Sequence, residues 1–202
     1  MGDFQRIYKT ELSDRQLMAF WGLVQASGRS GFVGFDGPAM DGPAFCRFLR
    51  RPGMHPWLVA WRGRPMALYW LSGLQGRSAH VHFCMLPCGT RRVEVPAEAV
   101  PEAAAPGRAK EGRARLPLVR AAALFGLASA LWEGQERGFL VDTLIGITPA
   151  ANAPALALMR SLGGQEHGSV PGLCWMHEAK VNVPGIISTF SREAVPQRAA
   201  AL

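Results

Sequence analysis

The stretch TPAANAPALALMRSLGGQEHGSVPG, residues 148–172, decides the fold of this chain. Asn152 is of a residue type that caps helix N-termini, and apolar side chains recur after it at i, i+3, i+4 and i+7. These apolar positions are Ala155, Leu158, Met159 and Leu162. The pair Gly163-Gly164 supplies the left-handed stop that helix ends favour. The spacing therefore predicts a short amphipathic helix that begins after Asn152 and ends before Gly163.

A strand and a second helix are predicted just ahead of this stretch. The run FLVDTLIGI at residues 139–147 is rich in apolar and β-branched side chains, which is typical of a strand covered on both faces. The run LVRAAALFGLASALWEGQ at 118–135 is apolar enough for a helix packed on a sheet, and Pro117 suits its first turn. With a strand over 79–86, these elements make one βαβ crossover, which we expect to be right-handed.

Periodicity and turn residues assign most of the remaining chain. We predict strands over residues 4–8, 57–61, 66–71, 79–86, 173–180 and 185–192, and helices over 10–24 and 43–51. The three strands within 57–86 form an antiparallel meander. The fold class is therefore α/β, with a mixed, mostly antiparallel central sheet flanked by helices. We predict a single domain over residues 1–202, with a core at about 4–192 and a frayed tail at 193–202.

Length, composition and cysteine usage exclude several classes of protein. The chain has 202 residues, of which 49% are hydrophobic, as expected of one globular domain. No apolar run approaches the roughly 20 residues of a membrane span, and the N-terminus lacks the pattern of a signal peptide, so we expect a cytoplasmic protein. The four cysteines have no CxxC spacing, which favours reduced thiols over a disulfide framework or a zinc site.

Positive charge is concentrated ahead of the helix predicted at 118–135. The formal net charge is +7, and residues 108–120 contain five basic side chains and one acid. A basic cluster of this kind fits nucleic acid, an acidic partner or the phosphates of a cofactor. No aromatic side chains interleave with it and no nucleic-acid motif is present, so nucleic-acid binding is the least favoured of the three.

The decisive stretch resembles the last third of the GNAT superfamily, the acyl-CoA-dependent N-acyltransferases. The likeness rests on the buried strand, the Asn-x-x-Ala-x-x-Leu helix, Gly163 and the run GSVPG at 168–172. The resemblance implies acetyl-CoA or CoA as co-substrate and a small-molecule or protein amine as acceptor. It also implies that backbone amides at the end of the fourth strand, at Met85, Leu86 and Cys88, hold the acyl thioester. Asn152 is either part of the cofactor site or a helix cap alone.

The cofactor loop departs from the family pattern. In the family, the fourth strand leads directly into Arg/Gln-x-x-Gly-x-Gly/Ala at a helix N-terminus, which holds the CoA pyrophosphate. Here residues 88–115 intervene as a predicted flexible insertion, rich in Ala, Pro and Glu at 93–107. Only Gly112, Arg113 and Ala114 match the second half of the motif. The chain thus resembles a divergent member with a degenerate cofactor loop, of the kind that phage and prophage genomes encode.

The predicted catalytic chemistry depends on the fourth strand. Alternation places His80, His82 and Cys84 on one face, where a histidine can accept the proton of an amine. The alternative is that these side chains are polar residues on a partly solvated strand face without a chemical role. A zinc site is not favoured, because residues two apart on one strand rarely supply three good zinc ligands. In many family members a tyrosine seven residues beyond the asparagine acts as the general acid that protonates the departing thiolate. This chain has Met159 at that position, and a thioether cannot donate a proton.

Two functions therefore stay open at this point. The first is an acyl-CoA-dependent N-acyltransferase with a divergent active site. The second is a catalytically inactive protein of the same fold, acting as a phage or prophage accessory protein or interaction module, as a homo-oligomer or with a phage-encoded partner.

Overall fold

The computed structural model describes residues 3–33, 40–101, 112–133 and 140–202. Its helices are α1 (Asp14–Ala26), α2 (Gly42–Arg50), α3 (Leu118–Glu133) and α4 (Ala153–Ser161). Its strands are β1 (Phe4–Tyr8), β2 (His55–Trp61), β3 (Arg64–Gln75), β4 (Ser78–Met85), β5 (Arg92–Pro96), β6 (Arg113–Pro117), β7 (Thr143–Pro149), β8 (Gln165–Met176) and β9 (Val181–Ser191). None of the described helices has the length and apolarity needed to cross a membrane.

Seven strands form the central sheet in the order β1-β2-β3-β4-β7-β9-β8. Neighbouring strands are antiparallel except for β4 and β7, which are parallel. Because α3 lies between β4 and β7 in the chain, these elements make the predicted βαβ crossover. The predicted α/β class, with a mostly antiparallel sheet flanked by helices, is confirmed.

Side-chain caps fix where the helices begin. The Asn152 side chain accepts a hydrogen bond from the Ala155 N–H at 3.3 Å, so the predicted cap of α4 is confirmed. The first helix begins at Asp14 rather than at residue 10, because Ser13 and Gln16 form a reciprocal capping box. The sequence carried that signal in the spacing Ser-x-x-Gln.

The helices cover both faces of the central sheet. The face under α3 buries Trp57, Tyr69 and Leu71, and the opposite face buries Leu58, Leu68 and Trp70 beneath α1 and α2. Successive residues of β3 therefore point to opposite cores, as a strand covered on both faces requires.

An aromatic stack ties three strands to α3. The Tyr69 ring stacks between Trp57 and Phe83, with ring centroids 5.3 and 5.6 Å away. Its hydroxyl donates to the Ala123 carbonyl of α3 at 3.2 Å. The stack thus links β2, β3 and β4 to the helix above them.

The segment predicted as a flexible insertion, 88–115, contains a second sheet. Strands β5 and β6 pair antiparallel from Arg92↔Pro117 to Pro96↔Arg113, and Val95 and Leu116 are buried against the core under α3. The prediction of a flexible loop is wrong for these two strands, because their alternating apolar side chains have a core face to pack on. The intervening residues 102–111 lie outside the described ranges.

The C-terminal tail predicted to fray is packed against α3. Residues Gln197–Ala201 form a short 3-10 helix with Ala199 fully buried. The Arg6 guanidinium donates to the Ala200 carbonyl at 2.9 Å and pairs with Glu133 on α3. The apolar end of the chain is therefore held by core packing and by a bridging arginine.

The run GSVPG at 168–172 lies inside β8 and makes its pairing irregular. Its pairing with β9 shifts register between Glu166 and Gly168 and again between Val170 and Cys174. The glycines accommodate these irregularities, because Gly168 and Gly172 have φ of 142° and 68°.

Candidate active site

The centre of the sheet opens between β4 and β7. The two strands pair in parallel only over Ser78↔Thr143, Ala79↔Leu144 and His80↔Ile145. Beyond this point β4 continues to pair with β3, and β7 with β9. The strands therefore diverge toward their carboxyl ends and leave a cleft, the position in which open α/β sheets commonly bind ligands.

The cleft has a narrow inner part and a wider outer part, which share Phe83, Asn152 and Ala155 among their walls. The wider part has a volume of about 380 Å³, within the range of sites for small molecules. It lies between the end of β4, the first turn of α3 and the N-terminal half of α4. The inner part lies between β4 and β7 and has a volume of about 80 Å³.

His82 is the one ionisable side chain among the described residues that line the inner part. Its ring stacks on Trp70 with centroids 5.2 Å apart and planes at 4°. Its Nε2 lies 2.9 Å from the Ser72 hydroxyl. His80 lies two residues earlier on the same strand and is not among the lining residues of either part. Of the two histidines that share this strand face, His82 therefore lines the cleft and His80 does not.

Asn152 and Met159 line the inner part from α4. The Asn152 side chain already serves as the helix cap, which accounts for its presence without a ligand. Met159 is 1% exposed and packs against Gly146 of β7. It is therefore a core residue at the position where many members of the family that the chain resembles have a tyrosine. Neither side chain can donate a proton to a leaving thiolate.

The two tyrosines of the chain are engaged elsewhere. The hydroxyl of Tyr69 donates to the Ala123 carbonyl, and that of Tyr8 lies 3.3 Å from a Glu133 carboxylate oxygen. Burial raises the pKa of Tyr69 far above its usual range. Neither tyrosine lines the described cleft, so neither replaces the missing acid.

The three residues at the end of β4 whose backbone amides were expected to hold the acyl group differ in their hydrogen bonds and positions. The Leu86 N–H donates to the Met66 carbonyl at 2.8 Å, which removes it as a donor to a ligand. Met85 lines the wider part, and its carbonyl accepts a hydrogen bond from the Arg29 guanidinium at 3.3 Å. Cys88 is half-buried just beyond the strand.

The half-matched phosphate motif does not lie at a helix N-terminus. Gly112 precedes β6, while Arg113 and Ala114 pair with Pro96 and Val95 of β5. Arg113 also forms an ion pair with Glu94 at 3.4 Å. The prediction that these residues form a phosphate-binding loop is therefore wrong, because they belong to one strand of the β5–β6 hairpin.

The N-terminus of α3 follows β6 directly, and its first amides have partners within the protein. The Leu118 N–H donates to the Arg91 carbonyl at 2.8 Å. The Val119 N–H is directed at the Cys88 thiol, whose pKa is raised by burial and lowered in smaller part by that N–H. A protein acceptor thus occupies the Leu118 N–H, a donor that a helix start can offer to an anion.

Arg29 is a residue of the cleft that sequence reasoning missed. It is the one charged side chain among the described residues lining the wider part. It follows α1, and no motif marks it in the sequence, because only the three-dimensional arrangement places it beside Met85. Cys84 lies on the same wall, and burial raises the pKa of its thiol to about 12, which keeps it protonated.

No cluster of three or more potential metal ligands occurs within the described ranges.

Comparison with known proteins gives matches among solved structures only. No protein-family model matches the chain, and no curated protein matches it. Mycobacterium smegmatis RimJ in complex with CoA-disulfide matches with a TM-score of 0.63 and 16% identity, over 94% of this chain and 84% of that chain. Spermidine N-acetyltransferase from Vibrio cholerae in complex with CoA and spermine matches with a TM-score of 0.62 and 10% identity, over 95% and 97% of the two chains. Ribosomal-protein-S5-alanine acetyltransferase from Vibrio fischeri matches with a TM-score of 0.58 and 8% identity, over 95% and 94%.

The chain has a GNAT-like fold. At these identities the likeness extends to the fold alone, since one fold supports many functions. Within the GNAT-like fold, the cleft lies between the two diverging strands of the βαβ crossover. The β5–β6 hairpin interrupts that crossover ahead of α3.

Proposed function

We propose that this chain is an N-acyltransferase that transfers an acyl group, acetyl in the simplest case, from acetyl-CoA to an amine. The observation that carries the proposal is the early end of β4–β7 pairing, which opens a cleft with an imidazole in its inner part. Among proteins of the same fold, one was solved with CoA-disulfide and another with CoA and spermine, which supports a CoA thioester as donor and an amine as acceptor.

His82 is the general base of the proposed reaction. It accepts a proton from the acceptor amine, whose nitrogen forms a bond to the thioester carbonyl carbon while the carbon–sulfur bond breaks. The departing thiolate takes its proton from water, because Met159 cannot supply one and Tyr8 and Tyr69 are bonded elsewhere. His80 contributes to the polarity of the same strand face and has no direct part.

The wider part of the cleft holds the donor. Its walls are largely apolar, which suits the arm that carries the thioester, and the Arg29 guanidinium supplies positive charge at the end of β4. Of the backbone positions expected to hold the acyl group, Met85 and Cys88 stay candidates and Leu86 does not. The four free cysteines fit a reducing compartment, and we place the reaction in the cytoplasm.

The test combines donor binding with product formation. Calorimetry and thermal shift with acetyl-CoA measure binding, and mass spectrometry detects acetylation of a panel of polyamines and peptides. We expect His82→Gln to lower kcat/KM by about 10²- to 10⁴-fold while donor binding is kept. His167→Gln is the matched control, since His167 is an exposed histidine of β8 that bonds Thr189. Absence of acetyl-CoA binding at millimolar concentration would refute the proposal.

A second candidate is a non-enzymatic protein of this fold, such as a phage or prophage accessory protein. The observation that favours it is the bond from the Leu118 N–H to the Arg91 carbonyl, which uses a helix donor that could hold a phosphate. Apolar side chains on the β8–β9 hairpin, each 38–46% exposed, provide contact surface for a partner: Val170, Leu173, Trp175 and Val181. A stable complex with another protein, together with failure to bind any acyl-CoA, would favour this candidate.

A further inference from the structure

Ser72 of β3 is a hydrogen-bonding partner of His82. Its hydroxyl oxygen lies 2.9 Å from Nε2 of the imidazole. In the β3–β4 register Trp70 stands opposite His82 and Ser72 stands opposite His80, so Ser72 reaches His82 as a diagonal neighbour. No second hydrogen-bond partner of the Ser72 hydroxyl occurs in the part of the chain that the structure describes.

The plane of the imidazole is fixed by a separate contact. The Trp70 ring lies parallel to His82, with centroids 5.2 Å apart. Trp70 is itself 4% exposed and has Phe48 of α2 edge-on to it at 6.0 Å. Stacking allows a ring to turn within its own plane, whereas a hydrogen bond to one nitrogen prevents that rotation. Trp70 and Ser72 together define one orientation of His82.

We propose that Ser72 is a positioning residue that sets the orientation and protonation state of His82. The inference rests on the proposed function for its role in catalysis, although the pairing itself does not. In this proposal the Nε2–H of His82 donates to the Ser72 oxygen, and Nδ1 accepts the proton of the amine. Once Nδ1 is protonated, the same hydroxyl oxygen stays an acceptor to the imidazolium, and a hydrogen bond to the charged form stabilises that form.

Within the described ranges, three ionisable side chains lie on or near the strand of His82. His80 and Cys84 share its strand face, and Arg29 lies beyond them at Met85. The inner-part residues of β7 and α4 that face it carry no ionisable side chain: Gly146, Ile147, Thr148, Pro149, Asn152, Ala155 and Met159. Removal of the Ser72 hydroxyl therefore removes a hydrogen bond of the His82 ring.

The chain contains a matched pair for comparison. His167 Nε2 lies 2.7 Å from the Thr189 hydroxyl, but this pair is on the exposed β8–β9 hairpin and lines neither part of the cleft. It offers the same chemistry without a role in the site. Thr189→Ala is accordingly the control for Ser72→Ala.

The first experiment follows the ring nitrogens of His82 by ¹⁵N NMR as a function of pH in the full chain without ligand. We expect one dominant tautomer, protonated at Nε2, in the wild type. Ser72→Ala should lose that preference and lower the titration midpoint of His82 by about one pH unit. Ser72→Thr should keep both properties, and Thr189→Ala should affect His167 only. An unchanged tautomer and midpoint in Ser72→Ala would overturn the proposal, whether or not the protein is an acyltransferase.

The second experiment measures acetyl transfer across pH with acetyl-CoA and the best amine from the panel. We expect Ser72→Ala to lower kcat by about tenfold and to move the acidic limb of the profile to lower pH, because the base is less well oriented and weaker. The KM for acetyl-CoA should stay unchanged, since Ser72 does not line the wider part. A loss confined to KM, or an acylated Ser72 found by mass spectrometry, would refute a positioning role. If Ser72→Ala does not fold, Ser72→Cys replaces it with a weaker acceptor and should give intermediate shifts in both measurements.

Discussion

Gly126, in the middle of α3, faces the ring of Tyr69. An ideal Cβ at Gly126 would lie 2.3 Å from Cε2 and 2.5 Å from Cζ of that ring, far inside normal contact distance. The ring cannot turn away easily, because it is stacked between Trp57 and Phe83 and its hydroxyl bonds to Ala123 of the same helix. In Gly126→Ala either α3 lifts from the sheet or Tyr69 leaves the stack.

The expected loss of stability follows from three contributions. Overpacking a core by one methyl group costs about 1–3 kcal/mol. Disruption of the Tyr69 hydroxyl bond leaves buried polar groups unsatisfied and costs about 1–3 kcal/mol more. The higher helix propensity of alanine offsets about 1 kcal/mol. The free energy of unfolding should therefore fall by about 3 kcal/mol, which lowers Tm by about 6–12 °C in a chain of this length.

Thermal unfolding followed by calorimetry measures this loss. The matched control is Gly22→Ala in α1, where the glycine is exposed and an ideal Cβ meets nothing within 4 Å. There the same substitution should stabilise the protein by about 0.5–1 kcal/mol. In a Tyr69→Leu background, which removes the ring, Gly126→Ala should cost much less than it does alone. Equal Tm values for Gly126→Ala and the wild type would refute the packing argument.

Two further predictions concern ionisable side chains. Burial raises the pKa of the Cys84 thiol to about 12. An aromatic disulfide reagent at pH 8 should therefore modify the half-buried Cys88 first and leave Cys84 unmodified until the protein unfolds. Equal rates of modification of the two thiols would contradict the burial of Cys84. Burial, and to a smaller extent Lys9, lowers the pKa of His55, so the folded state binds fewer protons than the unfolded state. The stability that His55 confers is then present above pH about 6.5 and is lost as the pH falls through its folded-state pKa. His55→Gln should flatten the dependence of Tm on pH between 7 and 5, whereas a slope unchanged from the wild type would exclude His55 as its source.

The elements that the sequence predicted correctly are those with strong local signals. The α4 helix has a cap, an apolar stripe and a glycine stop within twelve residues, and all three are present in the structure. The β5–β6 hairpin was missed because each strand has five residues, and the segment between them is rich in Ala and Pro. The alternation of Val93 with Val95 and of Ala114 with Leu116 was the available signal. It becomes meaningful only when two segments about twenty residues apart are paired.

The candidate site likewise contains features that local sequence predicts and features that only long-range packing determines. Alternation along β4 placed His82 correctly on a face with His80 and Cys84, since strand periodicity is local. The contacts of His82 with Trp70 and Ser72 depend on the register between β3 and β4, which is set across a turn containing an irregularity between Ser72 and Gln75. Arg29 depends on still longer-range packing. Sequence periodicity therefore identified the candidate base and could not identify what orients it.

The hairpin and the absent phosphate loop are two aspects of one structural change. The chain leaves β4, passes through Arg91 into β5 and returns through β6 directly into α3, so no glycine-rich loop can precede that helix. The same path brings the Arg91 carbonyl to the Leu118 N–H and the Cys88 thiol to the Val119 N–H. The Arg91 carbonyl satisfies a donor that a helix start can offer to an anion. Under the proposed function, the phosphates of the donor must therefore rely more on side-chain cations such as Arg29 than on backbone amides, and exposed charge pairs of that kind weaken as salt increases.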